Sequence, residues 1–187
     1  MKKTIQLLLL TISLILFSGF WSGDTDKQER KNRVKQNYET LQLLYKYDKK
    51  AKAIIKNSYG YATFKNCGIN IILLSAEGGT GLAHNNKTGE NTYMNMGSGG
   101  LGLGLGAKDF RAVFLFKTKK AYDSFVNKGW EANAQADAAI KYKEDGAAIN
   151  GAITVAPDIR LYKLTQTGLA LQATIQGTKY WKDGDLN

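Results

Sequence analysis

The stretch that decides the fold is residues 97–106, GSGGLGLGLG, in which three leucines alternate with single glycines. A period of two places the leucine side chains on one face of an extended strand and leaves bare backbone on the other face. Glycine is also a poor helix former. The run therefore predicts a β-strand whose glycine face another element can approach closely.

The same run formally matches a dinucleotide-binding fingerprint, with glycines at positions 97, 99 and 102. That fingerprint needs a helix directly after it and an acidic residue ~20 positions further on. Here the next regular segment is Arg111–Phe116, whose sequence RAVFLF predicts a strand. We therefore exclude nucleotide binding and assign the run a structural role, with an opening for an acyl chain as the alternative.

Working outward from this run, short strand-like segments separated by turns fill most of the chain. Predicted strands are Tyr59–Phe64, Ile69–Leu74, Gly78–His84, Thr92–Met94, residues 130–140, Ile153–Ala156, Arg160–Thr165 and Leu169–Ile175, and a helix is predicted over Thr118–Asn127. Within residues 130–140, alanines alternate with polar residues, which favours a strand over a helix. The fold class expected is α+β, with N-terminal helices packed on an antiparallel glycine-rich sheet that can curl into a barrel.

Residues 25–57 form a basic segment with helical periodicity. Val34, Tyr38, Leu41 and Tyr45 recur on one face of a helix, and we expect this apolar stripe to pack on the domain. Between positions 27 and 56 ten basic residues stand against three acids, whereas residues 57–187 carry a net charge of only +3. The basic character of the chain therefore belongs to this segment.

A row of lysines on an exposed helix face suits an anionic lipid surface, where each contributes ~1 kcal/mol. We predict Lys46, Lys49, Lys50, Lys52 and Lys56 as headgroup contacts, with Arg30, Lys31, Arg33 and Lys35 as electrostatic support. The alternative is a solvated face without a ligand. Nucleic acid is not expected as a partner, because no helix-turn-helix, zinc-finger or aromatic RNA-binding motif is present.

The first 23 residues have the pattern of an export signal. Lys2 and Lys3 precede an apolar run, Ile5–Phe17, that is shorter than the ~20 residues of a membrane-spanning helix. We expect residues 1–23 to be a signal peptide or an N-terminal anchor and residues 24–187 to form one domain. The protein is therefore expected to be exported and periplasmic or envelope-associated.

Catalytic chemistry has little support in this sequence. Cys67 is the only cysteine and His84 the only histidine, so neither a thiolate metal cluster nor a multi-histidine site can be built. A serine or cysteine nucleophile would depend on His84 alone. We expect no enzyme activity and no cofactor.

In the order of its motifs the chain resembles the SYLF domain family. The matching stretches are Tyr59–Phe64, Glu77–Gly81, the 97–106 run leading into Val113–Phe116, and Ile159–Leu171. The resemblance implies lipid association, which in eukaryotic members includes phosphoinositide binding and in yeast-type members actin binding. This chain shows no SH3 or FYVE partner domain, so actin is not expected as a partner.

The function expected is that of a non-enzymatic, lipid-associating envelope protein. It would bind anionic phospholipid or acyl chains through the basic segment and the glycine-rich body. The alternative is a structural or protein-interaction module of the envelope, with a protein partner and no direct lipid binding.

Overall fold

The computed structural model describes residues 23–71, 74–101, 110–131, 151–165, 168–169 and 177–187. The helices in these ranges are α1 (Gly23–Tyr47), α2 (Ala51–Asn57) and α3 (Lys119–Lys128). The strands are β1 (Gly60–Ile71), β2 (Leu74–Asn85), β3 (Asn91–Leu101), β4 (Arg111–Phe116), β5 (Trp130–Glu131), β6 (Ile153–Ala156), β7 (Ile159–Thr165), β8 (Gly168–Leu169) and β9 (Thr178–Lys182).

All nine described strands belong to one antiparallel sheet that curls into a half-barrel. Its order is β5-β9-β3-β2-β1-β4-β7-β6, with β8 paired to β7. The long strands β1, β2 and β3 form consecutive hairpin partners over eleven or twelve residues each. This architecture confirms the predicted α+β class with N-terminal helices on an antiparallel sheet.

One face of the sheet carries an aromatic core under α3. Phe64, Phe114 and Tyr180 project from β1, β4 and β9 and meet Phe125 of α3. The ring centroids of Phe64 and Tyr180 lie 4.7 Å apart, and those of Phe114 and Phe125 lie 5.0 Å apart. Thr118 caps α3 by accepting a hydrogen bond from the Ala121 backbone amide.

The other face of the sheet is covered by α1 and α2. Because neighbouring residues of a strand point to opposite faces, Val113 and Tyr162 project to this side. They form a second core with Leu44 of α1 and with Ile55 of α2. The sheet is therefore the middle layer of three, with α3 below it and α1 and α2 above it.

Glycine permits close packing inside the sheet at Gly81. A methyl group placed there would overlap the Phe64 ring, which lies over the glycine from the neighbouring strand. At Gly78, on the opposite face, the same methyl group would meet nothing within 4 Å. A side chain from the neighbouring strand therefore packs directly on a glycine of β2. Residues 102–106 of the glycine-leucine run lie outside the described residues.

Most predicted elements are confirmed where the structure describes them, but a separate strand over Ile69–Leu74 is wrong, because β1 continues to Ile71 and Leu74 begins its hairpin partner β2. The basic segment forms two helices, Arg111–Phe116 is a strand as expected, and α3 matches the predicted helix within one residue. The strand predicted over residues 130–140 is confirmed only at Trp130–Glu131, and that over Leu169–Ile175 only at its first residue; the remainder of both lies outside the described ranges. Strand β9 was not among the strands predicted from the sequence.

Candidate functional site

Helix α1 crosses the sheet from β7 at its C-terminal end to β3 at its N-terminal half. Leu44 packs in the core that contains Tyr162 of β7 and Val113 of β4. Nearer the start of the helix, Gln36 bonds β2 and Arg33 bonds β3. Acidic residues near the N-terminus and Lys46 in the last turn favour the helix through its dipole.

The face of α1 that docks on the sheet is polar over its middle turns. Gln36 donates to the Thr80 carbonyl at 3.0 Å, and Asn37 accepts from the Thr63 hydroxyl at 2.9 Å. Thr40 is fully buried and accepts from the Arg111 guanidinium at 3.1 Å. This part of the helix is therefore held by hydrogen bonds, and apolar burial begins only at Leu41 and Leu44.

Arg33 fixes the N-terminal half of α1 to the end of the chain described here. It is 6% exposed, and its guanidinium donates to Asp183 and to the Met94 carbonyl, both at 2.8 Å. Arg30 donates to the Leu186 carbonyl at 2.9 Å. Residues 183–187 thus hold α1 against β3 through two arginines.

Asp183 is the acidic partner in this arrangement. Burial alone would raise the pKa of its carboxyl. Hydrogen bonds from the backbone amides of Asp185 and Leu186, a hydrogen bond with Asn95 and the charge of Arg33 outweigh burial and hold that pKa below its usual value. Asp183 is therefore an anion at neutral pH that compensates the buried arginine.

The apolar stripe predicted to pack on the domain is turned outward over its first half, which corrects that expectation for Val34 and Tyr38. Val34 is 43% exposed and Tyr38 is 63% exposed. Only Leu41 is buried, while Tyr45 is half-buried, and burial raises the pKa of its hydroxyl. The reason is that Arg33, Asn37 and Thr40 satisfy polar groups of the sheet, so the helix turns this polar face inward.

The residues predicted as headgroup contacts all lie at the surface of α1, of α2 or of the turn between these helices. Exposed members of the predicted set are Lys31, Lys35, Lys46, Lys49, Lys50, Lys52 and Lys56. The two arginines of the set differ from these lysines in exposure. Arg33 is buried and Arg30 is half-buried, and both bind residues 183–187, so the structure assigns them to fold stabilisation and takes Arg33 out of the exposed row.

Lys27, exposed on α1, belongs to the same row although the predicted set omitted it. Lys27, Lys31 and Lys35 follow at spacings of four, which places them on one side of the helix. Like charges at this spacing destabilise a helix by a few tenths of a kcal/mol per pair. No ion pair found in the described part of the chain includes any of the three.

The cationic row and the outward part of the stripe are neighbours on α1. Lys31 and Lys35 bracket Val34 in sequence, and Tyr38 lies one turn beyond Val34. These positions place two exposed apolar side chains beside three exposed lysines on one side of the helix. We call Lys27, Lys31, Val34, Lys35 and Tyr38 the outer face of α1.

The residues weighed for catalysis are not brought together in a described site. His84 lies in β2, where its Nδ1 is 2.7 Å from the Asn91 side-chain oxygen and its ring packs near Tyr61. Cys67 lies in β1, and its side chain is outside the described part of the structure. Within the described ranges, no group of three or more histidine, cysteine or acidic residues could hold a metal ion.

Of the helices described here, none is long and apolar enough to cross a membrane. No protein-family model matches the chain. A search of curated proteins shows similarity to Beta cell expansion factor A of Aeromonas veronii, with 37% identity over 145 residues. The match covers 76% of this chain and 53% of that protein, so the chain spans about half the length of its relative.

Proposed function

We propose that this protein is a non-enzymatic, SYLF-type module that associates with anionic lipid surfaces through α1 and α2. The observation that carries the proposal is the orientation of α1. The helix docks by its polar face and leaves Val34 and Tyr38 exposed beside a row of lysines. The part of the stripe formed by Val34 and Tyr38 is not used for folding and is available for another surface.

The chemistry of that outer face suits a phospholipid bilayer. Lysine ammonium groups attract anionic headgroups, and the side chains of Val34 and Tyr38 can enter the boundary between headgroups and acyl chains. The exposed lysines of α2 extend the same positive charge along the chain. Because no described acid pairs with the Lys27, Lys31 and Lys35 row, its full charge is available to the lipid.

The proposal includes export and action at the cell envelope, on the basis of the signal-like first 23 residues. The name of the Aeromonas relative refers to beta cell expansion, and it belongs to a protein of which this chain matches 53%. Lipid association is proposed for this chain on its own residues. The competing hypothesis, a protein partner in the envelope, would use the same outer face of α1.

Vesicle co-sedimentation of residues 24–187 tests the proposal, because the apolar run Ile5–Phe17 of the leader would itself enter a bilayer. We expect binding to phosphatidylcholine vesicles that contain phosphatidylglycerol, weaker binding at higher salt, and little binding to phosphatidylcholine alone. Changing Lys27, Lys31 and Lys35 to Gln removes three contacts of ~1 kcal/mol each and should weaken binding about a hundredfold. Changing Lys49, Lys52 and Lys56 to Gln tests the contribution of α2 in the same way.

The matched control removes the same charge elsewhere. Lys117, Lys119 and Lys120 are exposed at the start of α3, on the other side of the sheet. Their replacement by Gln should leave binding close to that of the wild type. A loss in this control equal to that in the Lys27, Lys31 and Lys35 variant would show a non-specific charge effect. An absence of binding to either vesicle type would favour the protein-partner hypothesis.

A further inference from the structure

We propose that Trp181 is a second membrane anchor, so that the side of the molecule that carries α1 faces the lipid. This inference rests on the proposed lipid association and adds the orientation of the protein on the bilayer. It starts from the distribution of exposed apolar side chains. Among the described residues the large exposed hydrophobic side chains are Val34, Tyr38, Tyr47 and Trp181.

Three of these four side chains belong to α1, and strand alternation places the fourth on the same side of the sheet. Tyr180 of β9 and its partner Met96 of β3 point into the aromatic core under α3. Trp181 and its partner Asn95 must therefore point to the opposite face. Asn95 bonds Asp183, the partner of Arg33 in α1, which confirms that α1 covers this face.

Trp181 lies where α1 leaves the sheet uncovered. Helix α1 is fixed at β3 by Arg33, and β9 is the next strand outward. The indole is 45% exposed there. It is therefore accessible from the same side as the outer face of α1, without any change in the fold.

One lysine lies beside Trp181 on its own face of β9. Lys179 projects from that face and pairs with Glu131 at 3.2 Å, whereas Lys182 is exposed but alternates to the opposite face. Tryptophan prefers the zone between headgroups and acyl chains, where its ring is half apolar and its N–H can still find an acceptor. An exposed tryptophan on the side of the sheet that carries the outer face of α1 adds a second interfacial side chain there, which points to the same occupant, an anionic phospholipid bilayer.

The side of the molecule that carries α3 differs from this pattern. Its helix exposes Lys119, Lys120, Ser124 and Lys128, and its aromatic residues Tyr122 and Phe125 point into the core. Both sides are thus basic, but the large exposed hydrophobic side chains lie on the α1 side. The orientation is therefore set by apolar contacts, and charge alone would not select it.

Site-specific fluorescent labels test this orientation in residues 24–187, without the apolar leader. Three variants, each in a Cys67→Ser background, carry an environment-sensitive fluorophore on one introduced cysteine. The changes are Tyr38→Cys, Trp181→Cys and Ser124→Cys. The vesicles contain phosphatidylcholine and phosphatidylglycerol, with or without a lipid-borne quencher. We expect a blue shift and quenching for the labels at positions 38 and 181 and neither for the matched label at 124.

The outcomes separate this inference from the proposed function. A blue shift and quenching of the label at position 38 without either at position 181 would overturn the second anchor and leave the proposed lipid association in place. An equal response at 124 would overturn the orientation. No response at any position would overturn both proposals.

A variant of the native side chain gives a second measurement. Trp181→Ala should weaken vesicle binding several-fold. Because the side chain is also half buried, urea unfolding of the variant is measured beside it and binding is compared where the variant is folded. Trp181→Phe should retain more of the affinity than Trp181→Ala. Unchanged affinity in Trp181→Ala would contradict the anchor.

Discussion

Arg33 and Asp183 lie 150 positions apart in sequence and form a buried ion pair between the first described helix and the segment after β9. Such a pair is costly to break from one side, because the buried Arg33 is then left with Glu29, a partly exposed acid one turn away, as its remaining ion-pair partner in the described residues. We expect Asp183→Asn to lower the free energy of unfolding at neutral pH by about 3 kcal/mol. Urea unfolding followed by circular dichroism measures this change.

The effect of Asp183 depends on pH in a defined direction. The folded state holds the pKa of this carboxyl below its unfolded value of about 3.9. Its stabilisation is therefore complete above that value and is lost as the pH falls through the folded pKa. The stability difference between the wild type and Asp183→Asn should shrink in acid.

A surface ion pair provides the comparison for this prediction. Asp123 pairs with Lys119, one turn away on α3, and the lysine is largely exposed. Exposed pairs of this kind contribute between zero and about 1 kcal/mol. Asp123→Asn should therefore change stability little at any pH, and equal losses in the two aspartate variants would show that burial of the Arg33 pair is unimportant.

At the scale of the element, α1 presents two different faces with separate roles. Leu44 is fully buried between the helix and the sheet, so Leu44→Ala should cost roughly 2–5 kcal/mol of stability. Val34 and Tyr38 are exposed, and their joint replacement by serine should change stability by no more than about 1 kcal/mol. The same double variant should bind anionic vesicles less tightly.

Urea unfolding and vesicle co-sedimentation of these variants, measured side by side, separate folding from binding in α1. Leu44→Ala should retain vesicle binding under conditions where it remains folded. If the serine variant instead lost several kcal/mol of stability, the outward part of the stripe would have a structural role.

At the scale of the whole molecule, buried tyrosines couple the fold to alkaline pH. Burial raises the pKa of the Tyr122 hydroxyl to about 12 and that of Tyr180 further still. Burial and then the nearby Asp48 carboxylate raise the pKa of Tyr162 in the same direction. In the unfolded chain these hydroxyls ionise near 10, so stability is complete below that pH and is lost as the pH rises through the folded pKa values.

Simultaneous measurement of tyrosinate absorbance and circular dichroism checks this coupling. We expect part of the tyrosine absorbance change to occur only with loss of the folded signal. Tyr180→Phe is the informative variant, because the Tyr180 hydroxyl has no hydrogen-bond partner within the described residues. It should unfold at higher pH than the wild type, and titration of all ten tyrosines near pH 10 without unfolding would contradict the prediction.

Local patterns in the sequence were sufficient for most of the described elements. The strands around Tyr59–Phe64 and Arg111–Phe116 were predicted from β-branched and aromatic residues, and α3 from its helical spacing. Strand β9 was missed because Thr178–Lys182 is short and its lysines interrupt any apolar alternation. It becomes a strand because β3 and β5 supply hydrogen-bond partners on both of its edges.

The candidate site was predictable only in part. The lysines of α1 and α2 were identified from charge alone, because long charged side chains remain at the surface in almost any fold. The buried role of Arg33 could not be identified in that way. Its partners Met94 and Asp183 are remote in sequence, and nothing near Arg33 distinguishes it from Lys31 or Lys35.

The sequence by itself determined the α+β class, the antiparallel sheet and the concentration of positive charge in the first two helices, because periodicity and net charge are local properties. The tertiary structure alone decided which face of α1 docks. Polar groups at Thr63, Thr80, Arg111 and Asp183 meet the helix from separate elements, and satisfying them outweighs burial of Val34 and Tyr38. A helical stripe shows that a helix has an apolar face, but the groups on the opposing surface determine whether that face turns inward.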